Sequence, residues 1–385
     1  MKIIDKYIFK KFITVFFSCY TSLVGIYVIL DLSSKFGDFF SSGSPLVKVL
    51  MGLPAFYFIN SFVLFDLFFP FLILVAAITT ISVMRYNNEI IALLALGVSP
   101  GRTLVPVLIG SVLLSSFFTV VREVYMPKQL TRISQKPVDF IKHTDVFDVC
   151  RSFDNKSQIS IDGEKILFSK ALIIRPSILL RKNLNLYGNR LCACQGIYEE
   201  SNGERPSGWL LKGVTFPSEL LTKNSLFMPD LEQRIIFSPF DTPWLNDDEV
   251  FIASSLKPIH LISIENWLQY GSFNELKIAA VDPTFKNESV ELAIRIHSRF
   301  WRPLTDLIPL LLGVPFVFLR SDRNLFACIV LGILLASGYI ATQYLGIFLG
   351  NLLQNATIGI WIPAFLFVPF MAIMLGELLK KNLQG

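Results

Sequence analysis

The chain lacks the short motifs from which many nucleotide-dependent and metal-dependent enzymes are built. Among its 385 residues the dipeptide Gly-Lys never occurs, so there is no Walker A loop to hold the phosphates of ATP. The sequence also contains neither an H-E-x-x-H helix nor a C-x-x-C pair. We therefore expect no catalytic residues, no metal site and no cofactor.

Histidine and cysteine are both scarce, with three and five copies. The histidines are far apart and are interpreted as isolated polar residues: His143, His260 and His297. Cys192 and Cys194 are separated by one residue, which is too close for the usual spacing of structural zinc ligands. A disulfide from Cys150 to one of these two is one alternative, and free or buried thiols are favoured over it.

Charge is scarce too: 17% of the residues are charged, whereas 52% are hydrophobic and the mean hydropathy is +0.54. This balance excludes an ordinary soluble protein. The apolar residues form long runs: Phe12–Leu30, Leu53–Met84, Thr103–Val121, Pro303–Leu319 and Leu325–Gly376. A polar break at 350–357 divides the last run into two helices. The sequence therefore predicts six membrane helices, three before residue 126 and three after residue 296.

Lysine and arginine placement predicts the orientation of these spans. The basic residues near the spans lie at the N-terminus, in the loops after spans two and four, and in the tail: Lys2, Lys6, Lys10, Lys11, Arg85, Arg102, Arg320, Arg323, Lys380 and Lys381. The positive-inside rule makes both termini cytoplasmic and places the polar middle segment on the far side of the membrane. The same bundle inverted is the alternative.

The middle segment, residues 126–296, has a different pattern from the regions 1–125 and 297–385 that flank it. Short alternating runs are bounded by turn residues: Gln158–Gly163, Lys165–Phe168, Ala171–Arg175, Leu184–Gly188, Arg190–Cys194 and Gly208–Phe216. Such runs predict an antiparallel sandwich, jelly roll or open barrel. A short amphipathic helix, Pro258–Tyr270, is predicted to lead back to the membrane.

A short apolar helix is predicted between the second and third spans, from Glu89 to Gly97. Asn87 or Asn88 would be its N-cap, Glu89 would lie at the positive end of its dipole, and Gly97 would end it. Two turns of helix are far too short to cross a bilayer. Its apolar side on the cytoplasmic face therefore needs a partner.

Three acids and bases near the membrane are further candidates. Asp306 follows Arg302 by four residues, which predicts an ion pair on one side of a helix. Asp66 is interpreted as the point where the second run enters the lipid. Lys35 follows the first span by one helical turn, where a cation suits an anionic lipid phosphate, and snorkelling of its side chain explains it equally well.

Three segments carry a resemblance to a known family. They are Asp5–Ile8 at the start of the first span, Glu89–Pro100, and Arg299–Leu304 followed by Leu311–Phe316. In order and spacing they resemble the LptF/LptG permeases, which export lipopolysaccharide from the bacterial inner membrane. The resemblance covers nearly the whole chain. The first and third segments are slightly closer to the G-type than to the F-type subunit.

The resemblance implies a transport mechanism. Two such permeases, identical or paralogous, would pair around a cavity, and a dimeric cytoplasmic ATPase would bind a coupling segment at 86–98 in each. The middle domain would be a periplasmic β-jelly roll that passes the glycolipid to a bridge protein. Lys35 would contact the substrate. The contact with the ATPase would be made by Glu89, Ile90, Leu93, Leu94 and Gly97.

Two other classes of protein are alternatives to this family. Permease or mechanotransmitter subunits of lipoprotein and other envelope-lipid exporters have a large domain after the first span and three further spans, so six spans around a central domain count against them. A membrane-bound lipid-modifying enzyme would use Asp66, Asp306 or His297. No acid and base in the sequence are paired at a useful spacing for that role.

Overall fold

The structure is a computed structural model, and its residues divide into two compact units. The first unit comprises Met1–Ser41, Tyr57–Tyr125 and Ala293–Gly385, and the second comprises Ser42–Phe56 and Met126–Leu292. The residues that the structure describes are 3–37, 46–142, 144–180, 189–203, 205–217, 221–228, 233–319 and 325–383.

Helices dominate the first unit and flank the sheet of the second. In chain order they are α1 (Ile3–Ser34), α2 (Leu46–Tyr86), α3 (Glu89–Ala95), α4 (Pro100–Val124), α5 (Leu130–Ile133), α6 (Pro137–Ile141), α7 (Pro258–Ile262), α8 (Ile264–Tyr270), α9 (Phe273–Val281), α10 (Ser289–Thr305), α11 (Ile308–Leu319), α12 (Leu325–Leu352) and α13 (Ala356–Leu383). Five segments within the described ranges are long and apolar enough to cross a membrane: Ile3–Ser34, Val49–Tyr86, Gly101–Val124, Ile329–Leu352 and Ala356–Glu377. The predicted break near residue 350 is confirmed, because α12 ends at Leu352 and α13 begins at Ala356.

The predicted fourth span is interrupted. α10 ends at Thr305 and α11 begins at Ile308, two residues after the buried Asp306. The Tyr339 hydroxyl of α12 donates to the carbonyl of Thr305 at 2.7 Å, which satisfies an acceptor at this break. The 12 residues of α11 rise about 18 Å, less than the thickness of the hydrocarbon core. The sixth span therefore stays a prediction.

Aromatic rings pack α1, α2 and α4 together in the first unit. Phe16 of α1 contacts Phe65 and Phe69 of α2 edge-on, with ring centroids 5.8 and 6.4 Å apart. Phe118 of α4 lies 4.5 Å from Phe65. Phe16 and Phe69 are almost completely buried. This side of α1 is therefore bound to its neighbours by large apolar contacts.

Among the described residues of the second unit, 11 strands form one antiparallel sheet. The strands are β1 (Val146–Asp148), β2 (Ser152–Asp154), β3 (Ile159–Asp162), β4 (Lys165–Leu167), β5 (Leu172–Ile174), β6 (Ser177–Leu180), β7 (Arg190–Glu199), β8 (Gly208–Phe216), β9 (Leu226–Met228), β10 (Gln233–Phe237) and β11 (Glu249–Ala253). Their main order is β1-β4-β5-β7-β8-β11-β10-β9. Along one edge β7 pairs with β5 near Ile197 and with β6 near Cys192, so the sheet branches there towards β3 and β2.

The strand predictions largely agree with this sheet. β3, β4, β5 and β8 lie inside the predicted runs, and β7 is longer than its run. The run Leu184–Gly188 lies outside the described residues. The branched sheet is antiparallel as expected, and the more specific jelly roll stays a prediction.

The predicted helix Pro258–Tyr270 is two helices. The backbone of Ser263 is extended, with φ −163° and ψ 97°, and separates α7 from α8. Its hydroxyl accepts a hydrogen bond from Asn266 N at 3.2 Å, so Ser263 is the N-cap of α8. The hydrophobic period alone did not reveal this cap.

Candidate functional site

The short helix α3 lies between two of the long apolar helices. The carbonyl of Asn88 accepts the first helical bond from Ala92 N at 3.0 Å, which makes Asn88 the N-cap. Gly97 has φ +78°, a left-handed conformation that glycine adopts without strain, and Val98 N donates back to Leu93 O. The predicted start and stop of this helix are confirmed.

Glu89 binds the first part of α1. The ammonium of Lys11 lies 2.9 Å from both carboxylate oxygens of Glu89, and the hydroxyl of Tyr7 donates to Oε2 at 3.1 Å. Partial burial acts to raise the pKa of the Glu89 carboxyl, but hydrogen bonds from Lys11 and Asn87 outweigh it and lower that pKa. An ionised Glu89 therefore ties α3 to α1.

The other predicted contact residues of α3 differ in exposure. Ile90 is buried, Leu93 is half-buried, and the side chain of Leu94 is outside the description. The exposed apolar side chains are Ile91 and Leu96, which are 44% and 77% accessible. At about 100° per residue, Ile91 lies on the opposite side of the helix from Glu89, whereas Leu96 directly follows the last helical residue, Ala95.

Lys35 does not present an unpaired charge. Its ammonium lies 2.6 Å from Oδ1 of Asp31, one turn earlier on α1. The hydroxyl of Tyr57 on α2 donates to the other oxygen of Asp31 at 3.1 Å. The ring of Tyr27 packs edge-on against Tyr57, with centroids 6.0 Å apart. Lys35 thus belongs to a polar cluster with Asp31 and Tyr57.

These two polar clusters lie near opposite ends of α1. Twenty residues of helix separate Lys11 from Asp31, which corresponds to about 30 Å. That length equals the thickness of a hydrocarbon core. Glu89 and Lys35 are therefore spaced as residues at the two surfaces of a membrane would be.

A third cluster of charges is buried within the first unit. The predicted pair of Arg302 with Asp306 is confirmed, with Nε 3.2 Å from Oδ2. Arg302 also approaches Asp66, with Nη1 2.6 Å from Oδ1, and it donates to the carbonyl of the same residue. Arg122 of α4 lies 3.4 Å from the same carboxylate. Asp66 is buried among these arginines, and its interpretation as the point where the second run enters the lipid stays a prediction.

A narrow cavity beside this cluster is lined by equal numbers of acidic residues and arginines. The charged residues that line it are Asp66, Glu123, Asp306, Arg122, Arg299 and Arg302. Arg299 pairs with Glu123 at 3.1 Å, which adds a second link between α10 and α4. Sequence spacing revealed only the pair of Arg302 with Asp306 and missed the links to α2 and α4. The available signal was Asp66, a single acid inside a long apolar run, because a charge there needs a partner.

His260 is a buried structural residue of the second unit. Its Nδ1 accepts a hydrogen bond from Lys257 N at 3.0 Å, and its ring packs 4.3 Å from Trp267 and 5.0 Å from Phe285. Burial lowers the pKa of the imidazole to about 3, so the ring is neutral. This agrees with the interpretation as an isolated polar residue.

The thiols of the second unit are free. Cys150 and Cys194 are exposed and Cys192 is half-exposed, and none of the three forms a disulfide. His143 lies outside the described residues. Asp66 and Asp306, which the enzyme alternative would use, are both engaged by arginine.

Comparison with known proteins agrees with the family resemblance. The sequence profile of the family described as "Lipopolysaccharide export system permease LptF/LptG" matches residues 6–377. No curated protein sequence matches the chain. The matched range includes all three polar clusters and, apart from the first three residues of α1, the five long apolar helices. The chain therefore belongs to the LptF/LptG family of lipopolysaccharide export permeases and is a multi-pass protein of the inner membrane.

Proposed function

We propose that this chain is the permease subunit of an ABC-type complex that extracts lipopolysaccharide from the inner membrane. A separate cytoplasmic ATPase supplies the energy, and a second permease, identical or paralogous, completes the transmembrane cavity. The middle domain lies in the periplasm and passes the glycolipid to a bridge protein. Membership of the family supports a role in lipopolysaccharide export, and the finer assignments are ours.

The observation that carries this proposal is the exposed side of α3. α3 has seven residues, far fewer than a membrane span needs, and it exposes Ile91, while Leu96 is exposed directly after its end. Apolar side chains at such positions are stabilised by contact with another protein. We therefore assign Ile91 and Leu96 to the ATPase contact, while Glu89, on the opposite side of the helix from Ile91, binds Lys11.

The pair formed by Lys11 and Glu89 gives this contact a route into the membrane. A displacement of α3 by the ATPase would pull on α1 through two hydrogen bonds of 2.9 Å. α1 ends at the polar cluster that contains Lys35, which we assign to the lipid headgroup. The ends of α1 would then be the sites of energy input and of substrate contact.

The proposed topology places both termini and α3 in the cytoplasm and includes a sixth span formed by α11 with the end of α10. Two contacts support that span. Arg302 binds Asp66 in the middle of α2, and Arg85 at the end of α2 donates to the carbonyl of Val317 at 2.7 Å. α11 thus runs beside the second half of α2, towards the side of the membrane on which α3 lies.

The test is co-purification of the ATPase with the tagged chain after mild detergent extraction. We expect Leu96→Glu to abolish the association, because a charge would be buried in an apolar contact. Ile278→Glu on α9 is the matched control, since Ile278 is 72% accessible and belongs to the proposed periplasmic domain. This control should retain the ATPase. Equal recovery of the ATPase with both variants would contradict the assignment of α3.

A further inference from the structure

The ammonium of Lys35 and the carboxylate of Asp31 form a close ion pair at the end of α1. At 2.6 Å the ammonium and the carboxylate are in direct contact, slightly closer than the usual charge-assisted N–H···O distance of about 2.7–2.9 Å. The Lys35 side chain is 35% accessible, whereas that of Asp31 is only 13% accessible. The lysine is therefore the exposed member of the pair and the acid is the enclosed one.

Asp31 is held in place from a second helix. Tyr57 of α2 donates its hydroxyl to Oδ2, the carboxylate oxygen that Lys35 does not contact. The packing of Tyr27 against Tyr57 restricts that hydroxyl further. Lys35 has a long flexible side chain and can turn away from Asp31. The acid keeps its position whether or not the lysine remains bound to it.

From this geometry we propose that Asp31 competes with the phosphate of an anionic glycolipid for the ammonium of Lys35 and so sets the affinity of the site. The inference rests on the proposed function in one respect, which is that Lys35 contacts the lipid headgroup. While Lys35 is paired, the cluster has no net charge to attract a phosphate. A phosphate must take over a hydrogen bond from Asp31, and the same carboxylate repels it afterwards.

The consequence for transport is reversible binding. A permease must release its lipid, and a lysine without a competing acid would hold a phosphorylated headgroup more tightly. After release, Asp31 can recover the ammonium within the protein. The number of phosphates on the headgroup should therefore matter more for Asp31 variants than for the native chain.

The experiment measures binding of bisphosphorylated lipid A to the full-length chain in nanodiscs of phosphatidylcholine. The variants are D31N, K35Q and the double variant. Asparagine keeps an oxygen that accepts the hydrogen bond from Tyr57, so D31N removes the charge with little change of shape. We expect D31N to lower Kd by about three- to tenfold, because the phosphate then no longer has to replace Asp31 in a partly exposed ion pair with Lys35. K35Q should raise Kd, because it removes the ammonium that the phosphate binds. In the K35Q background the D31N change should lower Kd by clearly less than in the native chain, because only the direct repulsion by the carboxylate is then removed.

Two controls accompany these variants. D5N removes an acid from the other end of α1 and should leave Kd unchanged, and lipid A without phosphates should bind native and D31N chains equally. The inference is overturned if D31N leaves Kd unchanged, raises it, or lowers it equally in the K35Q background. A third outcome is that K35Q alone leaves Kd unchanged, while D31N lowers Kd in the native chain and lowers it less in the K35Q background. That outcome supports competition by Asp31 and refutes contact between Lys35 and the lipid in the native chain. If neither single variant changes Kd, both proposals fail.

Discussion

Replacing Asp66 by asparagine should strongly destabilise the membrane unit. Asp66 binds Arg302 at 2.6 Å and lies 3.4 Å from Arg122, and its side chain is 2% accessible. Because the charged side chains that line this cavity balance, the variant leaves one arginine charge uncompensated in a buried environment. Removing one partner of a buried pair typically costs about 3–5 kcal/mol. The cost should exceed that of any exposed pair in this chain.

The assay is thermal denaturation of the purified chain in detergent, followed by tryptophan fluorescence. We expect D66N to lower the midpoint by roughly 6–20 °C, because each kcal/mol shifts Tm by about 2–4 °C in domains of this size. The matched control is E164Q, which breaks the pair of Glu164 with Arg175 on the surface, 3.2 Å long and 53% and 78% accessible. That variant should cost less than about 1 kcal/mol.

A double-mutant cycle separates the ion pair from a general effect of substitution. The double variant D66N/R302Q restores the balance of charge, so its midpoint should fall by clearly less than the sum of the two single changes. Additive effects, or a D66N midpoint no lower than that of E164Q, would refute the view that this cluster links α2 to α10 and α4.

Two further predictions concern buried groups elsewhere. His260 has a pKa of about 3 when folded and about 6.5 when unfolded, so its stabilising contribution is complete above pH 6.5 and is lost as the pH falls towards 3. Between pH 6.5 and pH 5 we expect the free energy of unfolding of the native chain to fall by about 2 kcal/mol more than that of H260N. The measurement is urea unfolding of the full chain at these two pH values. The same pH dependence in the native chain and H260N would contradict this. At Gly110 of α4 an added Cβ would lie 2.9 Å from the buried ring of Phe12, so G110A should cost about 1–3 kcal/mol. G25A, which meets nothing within 4 Å, should be neutral or slightly stabilising, and equal melting of both variants would show that α1 does not pack closely on α4.

The helices were predictable because their signals are local. A run without charges must satisfy its backbone within itself in lipid, so length and composition indicated the five long helices within the described ranges and the break near residue 350. They also indicated a sixth span, which stays a prediction. Gly97 ended α3 where expected, since a left-handed residue there favours glycine. The interruption after Thr305 was not predicted, because the carbonyl at that break is satisfied by Tyr339 from a distant part of the chain.

The candidate sites were predictable only as positions along the chain. Lys35 and Glu89 were identified from their places beside apolar runs, and Arg302 with Asp306 from a spacing of four. The sequence could not indicate that Asp31 and Tyr57 engage Lys35, because the tyrosine comes from another helix. It also could not indicate that Ile90 is buried while Leu96 is exposed, since both are apolar.

The sequence by itself determined the membrane class, the long helices, the strand-rich middle segment and the family, because these follow from composition, period and motif order. Only the tertiary structure decided which charges meet. Asp66 and Arg302 are 236 residues apart and Lys11 and Glu89 are 78 apart, and no local period connects such positions. Burial of a charge requires a partner, and the packing of helices selects which distant residue that partner is.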